Sequence, residues 1–289
     1  MRDTKPIETA GRSWTAVITP HKPVFHIPAA EIWSYRDLVV QMVRRDLITQ
    51  HKQTVLGPLW FFIQPLLSSV VYTVIFGRIA NIPTDTIPPF LFYLSGVTIW
   101  SYFASVLART SSTFTSNGPI FSKIYFPRLT VPIAQALVCL VLFLVQLLIF
   151  AGFYLFYLFK GAPIEASYRI VIVPALIVQS GLLGFGVGCL ISALTVRFRD
   201  LQLAIGPGIQ LWMYASCIFY PRSIVPESYQ WLMSINPMVP VIEAFRFAVM
   251  GRGEVEISQW LISVALTIVI FVVGIIAFGR AEKTSVDTI

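Results

Sequence analysis

The chain has 289 residues, of which 56% are hydrophobic and only 12% charged, and its mean hydropathy is +0.75. A soluble globular chain carries about twice that charged fraction, so the composition excludes an ordinary soluble domain. The formal net charge of +7 comes from 21 Lys and Arg residues against 14 Asp and Glu residues.

Six apolar runs are each long enough to cross a hydrocarbon core of about 30 Å. They cover residues 55–80, 88–109, 129–159, 170–196, 201–221 and 258–279. The runs are continuous, without the alternation of a strand barrel, so the sequence predicts an all-α integral membrane protein with six transmembrane helices. The largely polar residues 1–54 contain no apolar core of the kind that a signal peptide requires.

The basic residues indicate an orientation. With both termini cytosolic, the cytosolic segments hold 15 of the 21 Lys and Arg residues and the outer segments hold six. Cytoplasmic loops carry the excess of positive charge, so we expect cytosolic termini in a multi-pass protein of the cytoplasmic membrane. The net charge therefore reflects membrane orientation better than nucleic-acid binding.

The segment before the first span changes character along its length. Residues 1–31 form a polar tail punctuated by proline, which we expect to be flexible. From 32 to 48, helical spacing predicts an amphipathic helix too short and too charged to span, lying at the cytosolic interface. Its predicted apolar face holds the following residues: Ile32, Tyr35, Val39, Met42 and Val43.

A charged hinge separates the second and third spans. Asn117-Gly118-Pro119 is expected to end the preceding helix, because proline lacks an amide donor. A short amphipathic piece, 120–126, follows, and Pro127 interrupts the chain again before Arg128. The compact, positively charged segment is suited to contact with a partner.

Residues 222–257 are amphipathic, aromatic and too broken by proline to span. We interpret them as two short helices that enter the outer leaflet and return, with a plain outer loop as the alternative. In the fourth span, the spacing of Gly184 and Gly188 predicts close helix packing.

Several kinds of chemistry are missing from the sequence. The six spans hold no Asp or Glu, which disfavours coupling to an ion gradient, and all three histidines precede the first span. No carboxylate pair, metal-spaced ligand set or GxxxxGK[ST] loop is present, so we expect no catalytic residue, no metal and no nucleotide hydrolysis in this chain. The three separated cysteines are predicted to be small core residues. The function that remains is a membrane transporter whose energy source lies outside this chain.

Five stretches together resemble the transmembrane subunits of type-2 ABC transporters, specifically the polysaccharide-export permeases of O-antigen and teichoic-acid systems. They are RDLVVQMVRRDLITQHKQTVLGPLWFFIQPLL (36–67), VIFGRIANIPTDTIPPFLF (74–92), FSKIYFPRLTVPIA (121–134), ALTVRFRDL (193–201) and FYPRSIVPESYQWLMSINPMVPVIEAFR (219–246). The resemblance assigns the transmembrane domain to 32–280, between the flexible tail and a cytosolic C-terminal tail, 281–289.

The resemblance implies a homodimer with two cytosolic ABC ATPase subunits, which would hold the ATP and Mg, and a substrate polysaccharide on a polyprenyl diphosphate. It implies that the hinge contains the helix that docks on the ATPase, with these residues: Ile120, Phe121, Lys123, Tyr125, Phe126 and Arg128. It also implies that the helix before the first span is a gate helix, and that the broken segment 222–257 caps the exit as re-entrant outer helices between spans five and six.

Two further residue sets follow. Basic residues of the gate helix would lie near a diphosphate headgroup, with anionic lipid or the ATPase as alternative contacts. Together with two residues of the loop that follows, they form the gate set: Arg36, Arg44, Arg45, Lys52, Leu56 and Gly57. Aromatic residues at several depths could form a sugar-binding lining of the channel, although such residues also form interfacial belts. The lining set is Trp60, Tyr72, Trp100, Tyr102, Trp212 and Tyr220. Alternative functions are capsule or teichoic-acid export, drug or small-lipid export, and a membrane enzyme of envelope biosynthesis.

Overall fold

The computed structural model of the chain describes residues 29–51, 59–121, 126–164, 168–253 and 255–286. Within these ranges the chain is helical and contains no strand. The α-helices are α1 (Ala29–Ser34), α2 (Arg36–His51), α3 (Trp60–Tyr72), α4 (Pro89–Ser111), α5 (Thr113–Phe121), α6 (Thr130–Phe159), α7 (Val173–Thr195), α8 (Leu201–Tyr214), α9 (Glu227–Ile235), α10 (Met238–Met250) and α11 (Ile257–Val286). A π-helix (Thr73–Ile79) extends α3, and 3₁₀ turns cover Tyr168–Ile172 and Arg222–Ile224.

Four helical segments of the described chain are long and apolar enough to cross a membrane. They are Pro89–Ser111, Thr130–Phe159, Tyr168–Thr195 and Ile257–Glu282, with α9 and α10 as a fifth if that pair, bent by 94°, is one span. The first and fifth predicted spans correspond to shorter helices: the apolar part of α3 and its extension covers Ile63–Ile79, and α8 has only 14 residues. Helix length and composition therefore support a multi-pass helical protein but not a count of six.

α4 lies at the centre of the bundle. Of the residues in the apolar stretch of α4, 78% are buried within the chain, compared with 22% in the apolar stretches of α6 and α11. Its largest buried side chains include Phe92, Tyr93 and Phe103, each at most 1% exposed. Residues of α4 contact α3, α6, α7, α8 and α10, so the other helices are positioned around it.

Small residues let α7 pack tightly on two neighbours, as the glycine spacing predicted. A Cβ atom on Gly188 would lie 2.9 Å from the carbonyl oxygen of Leu107 in α4. On the opposite face, a Cβ atom on Gly186 would lie 2.6 Å from the Cα atom of Phe271 in α11. Backbones this close require glycine, and they join α4, α7 and α11 into one closely packed layer.

The hinge differs from the prediction. Asn117-Gly118-Pro119 does not end a helix, because all three residues lie inside α5. The break comes earlier, at Ser112, whose hydroxyl donates to the carbonyl of Arg109. Hydroxyls of this kind compete with the helical hydrogen bonds of the backbone. The amide of Asn117 donates to the carbonyl of Thr113 and reinforces the turn that Pro119 would weaken.

The bundle has two ends, which we call near and far. At the near end α6 begins and α11 ends, and Arg128 contacts Glu282. At the far end α4 and α11 begin; there Ser223 donates to Asp85 and Arg222 pairs with Glu256. Cys139, Cys189 and Cys217 are all buried between these ends, as expected for small core residues.

Candidate functional site

An aromatic chain crosses the near end. The ring of Phe278, in α11, stacks on Phe114 at a centroid distance of 4.5 Å. Phe114 lies 6.1 Å from Phe121, and Phe121 lies 5.8 Å from Phe126. Phe126 is only 5% exposed. Two of the predicted coupling residues, Phe121 and Phe126, therefore belong to a packed connection between α11 and the start of α6.

The buried Phe126 also packs against α2. Val39 and Met42 of α2, 6% and 8% exposed, form one cluster with Phe126, Val131 and Ala134. Val39 and Met42 belong to the apolar face predicted from helical spacing and are buried, whereas the other three residues of that face, Ile32, Tyr35 and Val43, are partly buried. A displacement of the hinge would be transmitted to α2 by direct contact.

Arg128 is held by the end of α11. Its backbone N–H donates to the Glu282 carboxylate at 3.3 Å, and its guanidinium donates to the carbonyl oxygen of Glu282 at 3.3 Å. The guanidinium also lies 5.3 Å from the ring centroid of Phe121. Glu282 was not predicted as a site residue, because its distance of 154 positions from Arg128 leaves no local signal.

The remaining coupling residues are not described in full. Lys123 and Tyr125 lie outside the described residues, and so does the middle of the predicted docking segment. Ile120 lies near the end of α5, but its side chain is not described. The assignment of these residues to an ATPase contact stays a prediction.

The basic residues of α2 face away from its buried side. The side chain of Arg36 is 58% exposed and lies 3.8 Å from Asp37, and that of Arg45 is 53% exposed and pairs with Asp46 at 2.9 Å. Arg44 is exposed as well. Exposed pairs of this kind contribute about 0–1 kcal/mol and leave the guanidinium groups able to exchange partners. Lys52, Leu56 and Gly57 lie outside the described residues.

The six predicted lining residues fall into two groups. Trp100 and Tyr102 are 4% and 6% exposed, and their rings pack inside the chain. Trp60 is 50% exposed, and the other three, Tyr72, Trp212 and Tyr220, are partly buried. The structure does not bring the six together on one surface of the single chain, and a lining role stays a prediction.

Asn236, which the sequence did not single out, joins α8 to the bend between α9 and α10. Its side-chain oxygen accepts from the indole N–H of Trp212 at 2.9 Å and from the backbone N–H of Met238 at 3.0 Å. Its amide nitrogen donates to the carbonyl oxygen of Ala215 at 2.8 Å and to the hydroxyl of Ser216 at 3.0 Å. All four hydrogen-bonding positions of the amide are used, which fixes α9 relative to the end of α8.

Arg246 is a second residue whose role the sequence did not show. It is 4% exposed, and it donates to the carbonyl oxygens of Cys217 at 2.8 Å and Ile218 at 3.0 Å. Its guanidinium lies 3.7 Å from the ring centroid of Phe92. A Cβ atom on Gly96 would lie 2.8 Å from this group, so glycine there leaves room for it. A buried charge needs such partners, and here they bind α10 to the segment after α8.

Comparison with known proteins supplies the family. The model of the ABC-2 type transporter family matches residues 37–250. The chain is 28% identical over 248 residues to the O-antigen export system permease protein RfbA of Klebsiella pneumoniae, a match that covers 85% of this chain and 92% of that protein. It is 25% identical over 218 residues to RfbA of Myxococcus xanthus, covering 75% and 81% of the two chains. It is also 25% identical over 248 residues to the polysialic acid transport protein KpsM of Escherichia coli, covering 83% and 91%.

The family match covers more than half of the chain and includes α2, the near-end hinge, Asn236 and Arg246. The chain therefore belongs to the ABC-2 type transporter family.

Proposed function

We propose that this chain is the membrane-spanning subunit of an ATP-driven exporter that moves polyprenyl-diphosphate-linked polysaccharide, with O-antigen as its first candidate, across the cytoplasmic membrane. The observation that carries the proposal is the match to an O-antigen export permease over 92% of that relative's length. In this role the chain catalyses no reaction. ATP and Mg are bound by a separate ATPase.

The proposed topology has six spans with both termini in the cytosol. The four long helices supply four spans, and α3 with its π-helical extension and α8 with the residues after it supply the shorter first and fifth. The excess of basic residues in the segments that this topology makes cytosolic supports the orientation. The near end is then cytosolic, the far end faces outward, and the bent pair of α9 and α10 forms re-entrant helices at the exit.

The proposed assembly is a homodimer with the polymer path between the two copies. The two copies would meet through the apolar faces of α8 and α3 that the rest of the chain leaves exposed: Leu203 and Leu211 of α8 are 82% and 70% exposed, and Leu67 of α3 is 55% exposed. The partly exposed aromatic residues Trp60, Tyr72, Trp212 and Tyr220 would line the path. Trp100 would support the lining from behind, since its ring lies 6.4 Å from that of Trp212, whereas Tyr102 packs against Phe143 of α6.

The proposed coupling uses the near end. Two ATPase subunits would dock on the segment from Ile120 to Arg128, one on each copy. The contact between Phe126 and α2 would transmit the movement to the gate helix, and the hydrogen bonds of Arg128 with Glu282 would hold the docking segment in register with α11.

The proposed contact with the lipid diphosphate uses α2. Arg36, Arg44 and Arg45 carry exposed positive charge. One guanidinium group can bind two oxygens of a phosphate group at once. At the cytosolic interface, this charge would bind the headgroup before the polymer enters the path.

Capsular polysaccharide export is the second candidate. Its support is the match to KpsM of Escherichia coli and a 23% identity over 252 residues to the capsule polysaccharide export inner-membrane protein CtrC of Neisseria meningitidis. The higher identity to RfbA favours O-antigen as the first candidate.

Deletion of the gene, followed by separate assays of surface polysaccharide and of intracellular polyprenyl-linked polysaccharide, tests the proposal. We expect loss from the surface together with accumulation inside. Loss in both places would indicate a role in synthesis, and unchanged surface polysaccharide would overturn the export assignment. The chemical type of the lost polymer separates O-antigen from capsule.

A further inference from the structure

A cavity lined by both polar and apolar side chains opens at the far end of the bundle. Its volume is about 750 Å³, inside the range of roughly 300–1,000 Å³ typical of ligand pockets. It is enclosed by the loop before α4, the segment 221–223, the α9 and α10 helices, and residues 252, 253, 255 and 256.

Side-chain contacts hold the walls of the cavity together. Ser223 donates to the carboxylate of Asp85 at 3.2 Å, which joins two loops separated by 138 positions. Arg222 lies 3.8 Å from the carboxylate of Glu256 and also donates to the amide oxygen of Gln259. Arg252 donates to the carbonyl oxygen of Pro163 at 3.4 Å. The cavity is therefore built by the fold and is not a gap between unconnected loops.

The formal charges around the cavity sum to zero. Three guanidinium groups and three carboxyl groups line it: Arg222, Arg246, Arg252, Asp85, Glu243 and Glu256. Arg246 is fixed in the wall by its bonds to two backbone carbonyls. An anion in the cavity would lie close to three carboxyl groups, and a metal cation close to three guanidinium groups. An ion of either sign would therefore meet three formal charges of its own sign, whereas a neutral ligand would not be repelled.

A neutral molecule with many hydroxyl groups fits this lining. A hydroxyl group can both donate and accept a hydrogen bond. It can accept from a guanidinium group or from the side-chain amide of Gln230, which also lines the cavity. It can at the same time donate to a carboxyl group. A carboxyl group forms such bonds in either protonation state. Charged and planar polar side chains give hydrogen bonds to hydroxyl groups without requiring charge on the ligand.

We propose that this far-end cavity binds a short segment of uncharged sugar residues of the exported polymer. The inference rests on the proposed function and narrows it, because it predicts that the substrate is a neutral polysaccharide and not an acidic one such as polysialic acid. The cavity then holds the polymer after it leaves the path, on the outer side of the bend between α9 and α10.

The test uses the full exporter, this chain with its ATPase, in lipid nanodiscs. Two probes are titrated by calorimetry: neutral oligosaccharides released by mild acid from the host's own surface polysaccharide, and oligosialic acid. We expect the neutral probe to bind, and the acidic probe to bind at least tenfold more weakly. A host polysaccharide that yields only acidic fragments, or equal binding of the two probes, would overturn the inference.

Matched variants locate the binding. Gln230→Ala removes a lining amide and is expected to weaken binding of the neutral probe at least fivefold. Ser228→Ala, an exposed position on the same helix outside the cavity, is the control and should bind as wild type does. Equal affinity in Gln230→Ala and wild type would overturn the site.

A variant that binds the acidic probe more tightly cannot be explained by misfolding. Glu256→Gln removes one negative charge from the lining and is expected to raise the affinity for oligosialic acid about threefold or more, whereas Glu227→Gln, exposed and outside the cavity, should not. No gain in Glu256→Gln would overturn the charge-balance argument. The gene deletion described above tests export separately, so the cavity can fail while the exporter assignment stands.

Discussion

Replacing Asn236 by alanine should loosen the outer part of the bundle. The substitution removes all four hydrogen bonds that join Trp212, Ala215, Ser216 and Met238 through one amide. Three of these bonds reach Trp212, Ala215 and Ser216, whereas the bond from Met238 lies within the bend. Hydrogen bonds between helices in membrane proteins contribute about 0.6 kcal/mol each on average, so the three bonds correspond to about 1.8 kcal/mol. At about 2 °C for each kcal/mol, the midpoint of thermal unfolding should fall by about 4 °C.

The assay is thermal unfolding of the purified exporter in detergent, followed by intrinsic fluorescence. Ser234→Ala is the matched control, since that hydroxyl donates only to the carbonyl of Gln230 one turn back in the same helix. We expect the control to unfold within about 1 °C of wild type. If Asn236→Ala unfolds at the same temperature as Ser234→Ala, the amide does not join α8 to the bend, and this account of the fold is wrong.

Three other substitutions test separate parts of the account. Phe126→Ala should destabilise the exporter by about 3–5 kcal/mol in denaturant unfolding because it opens a cavity against α2, whereas Phe159→Ala, 88% exposed, should cost about 0.5 kcal/mol or less. An equal loss of stability in these two variants would contradict the packing at the near end. Gly188→Leu should not elute as a single symmetric peak in size-exclusion chromatography. Gly152→Leu, with nothing within 4 Å of its Cβ position, should elute as wild type does. Arg44→Ala should raise the KM for lipid-linked substrate about tenfold in a vesicle transport assay, the effect of losing one charge-assisted hydrogen bond. An unchanged KM would remove Arg44 from the headgroup site.

Periodicity was enough to predict some elements. The burial of Val39 and Met42 followed from helical spacing, because a helix with one apolar face has few ways to pack. The close packing of α7 followed from its glycines in the same way, since a small-residue spacing in an apolar helix indicates backbone contact. In both cases the signal lies within one element.

Other features depend on contacts between distant parts of the chain. Asn236-Pro237 marks a turn, but nothing local indicates that the amide reaches Trp212 and Ala215 in another helix. Arg246 lies in the segment 222–257, which was expected to be broken and amphipathic, and nothing local indicates that its guanidinium is enclosed by Phe92 and the segment after α8.

Burial of aromatic residues within a span could not be predicted from hydropathy. Trp100 and Tyr102 lie in a helix that is apolar on most of its surface, so sequence does not show which face meets other helices. The apolar run 88–109 predicted from the sequence agrees with α4 to within two residues, but the helix end predicted at Asn117-Gly118-Pro119 was wrong, because these residues lie inside α5. The break after α4 lies at Ser112, whose hydroxyl donates to the carbonyl of Arg109.

ATP-driven movement of the polymer is the central claim, and reconstitution tests it most directly. The chain and its ATPase are placed in proteoliposomes with the ATPase outward, and a fluorescent polyprenyl-diphosphate-linked polysaccharide is added to the outer leaflet. The account predicts that MgATP, but not MgADP, protects the polysaccharide from a glycosidase in the external buffer. Continued digestion in the presence of MgATP, or a chemical change of the polymer without any ATPase, would contradict it.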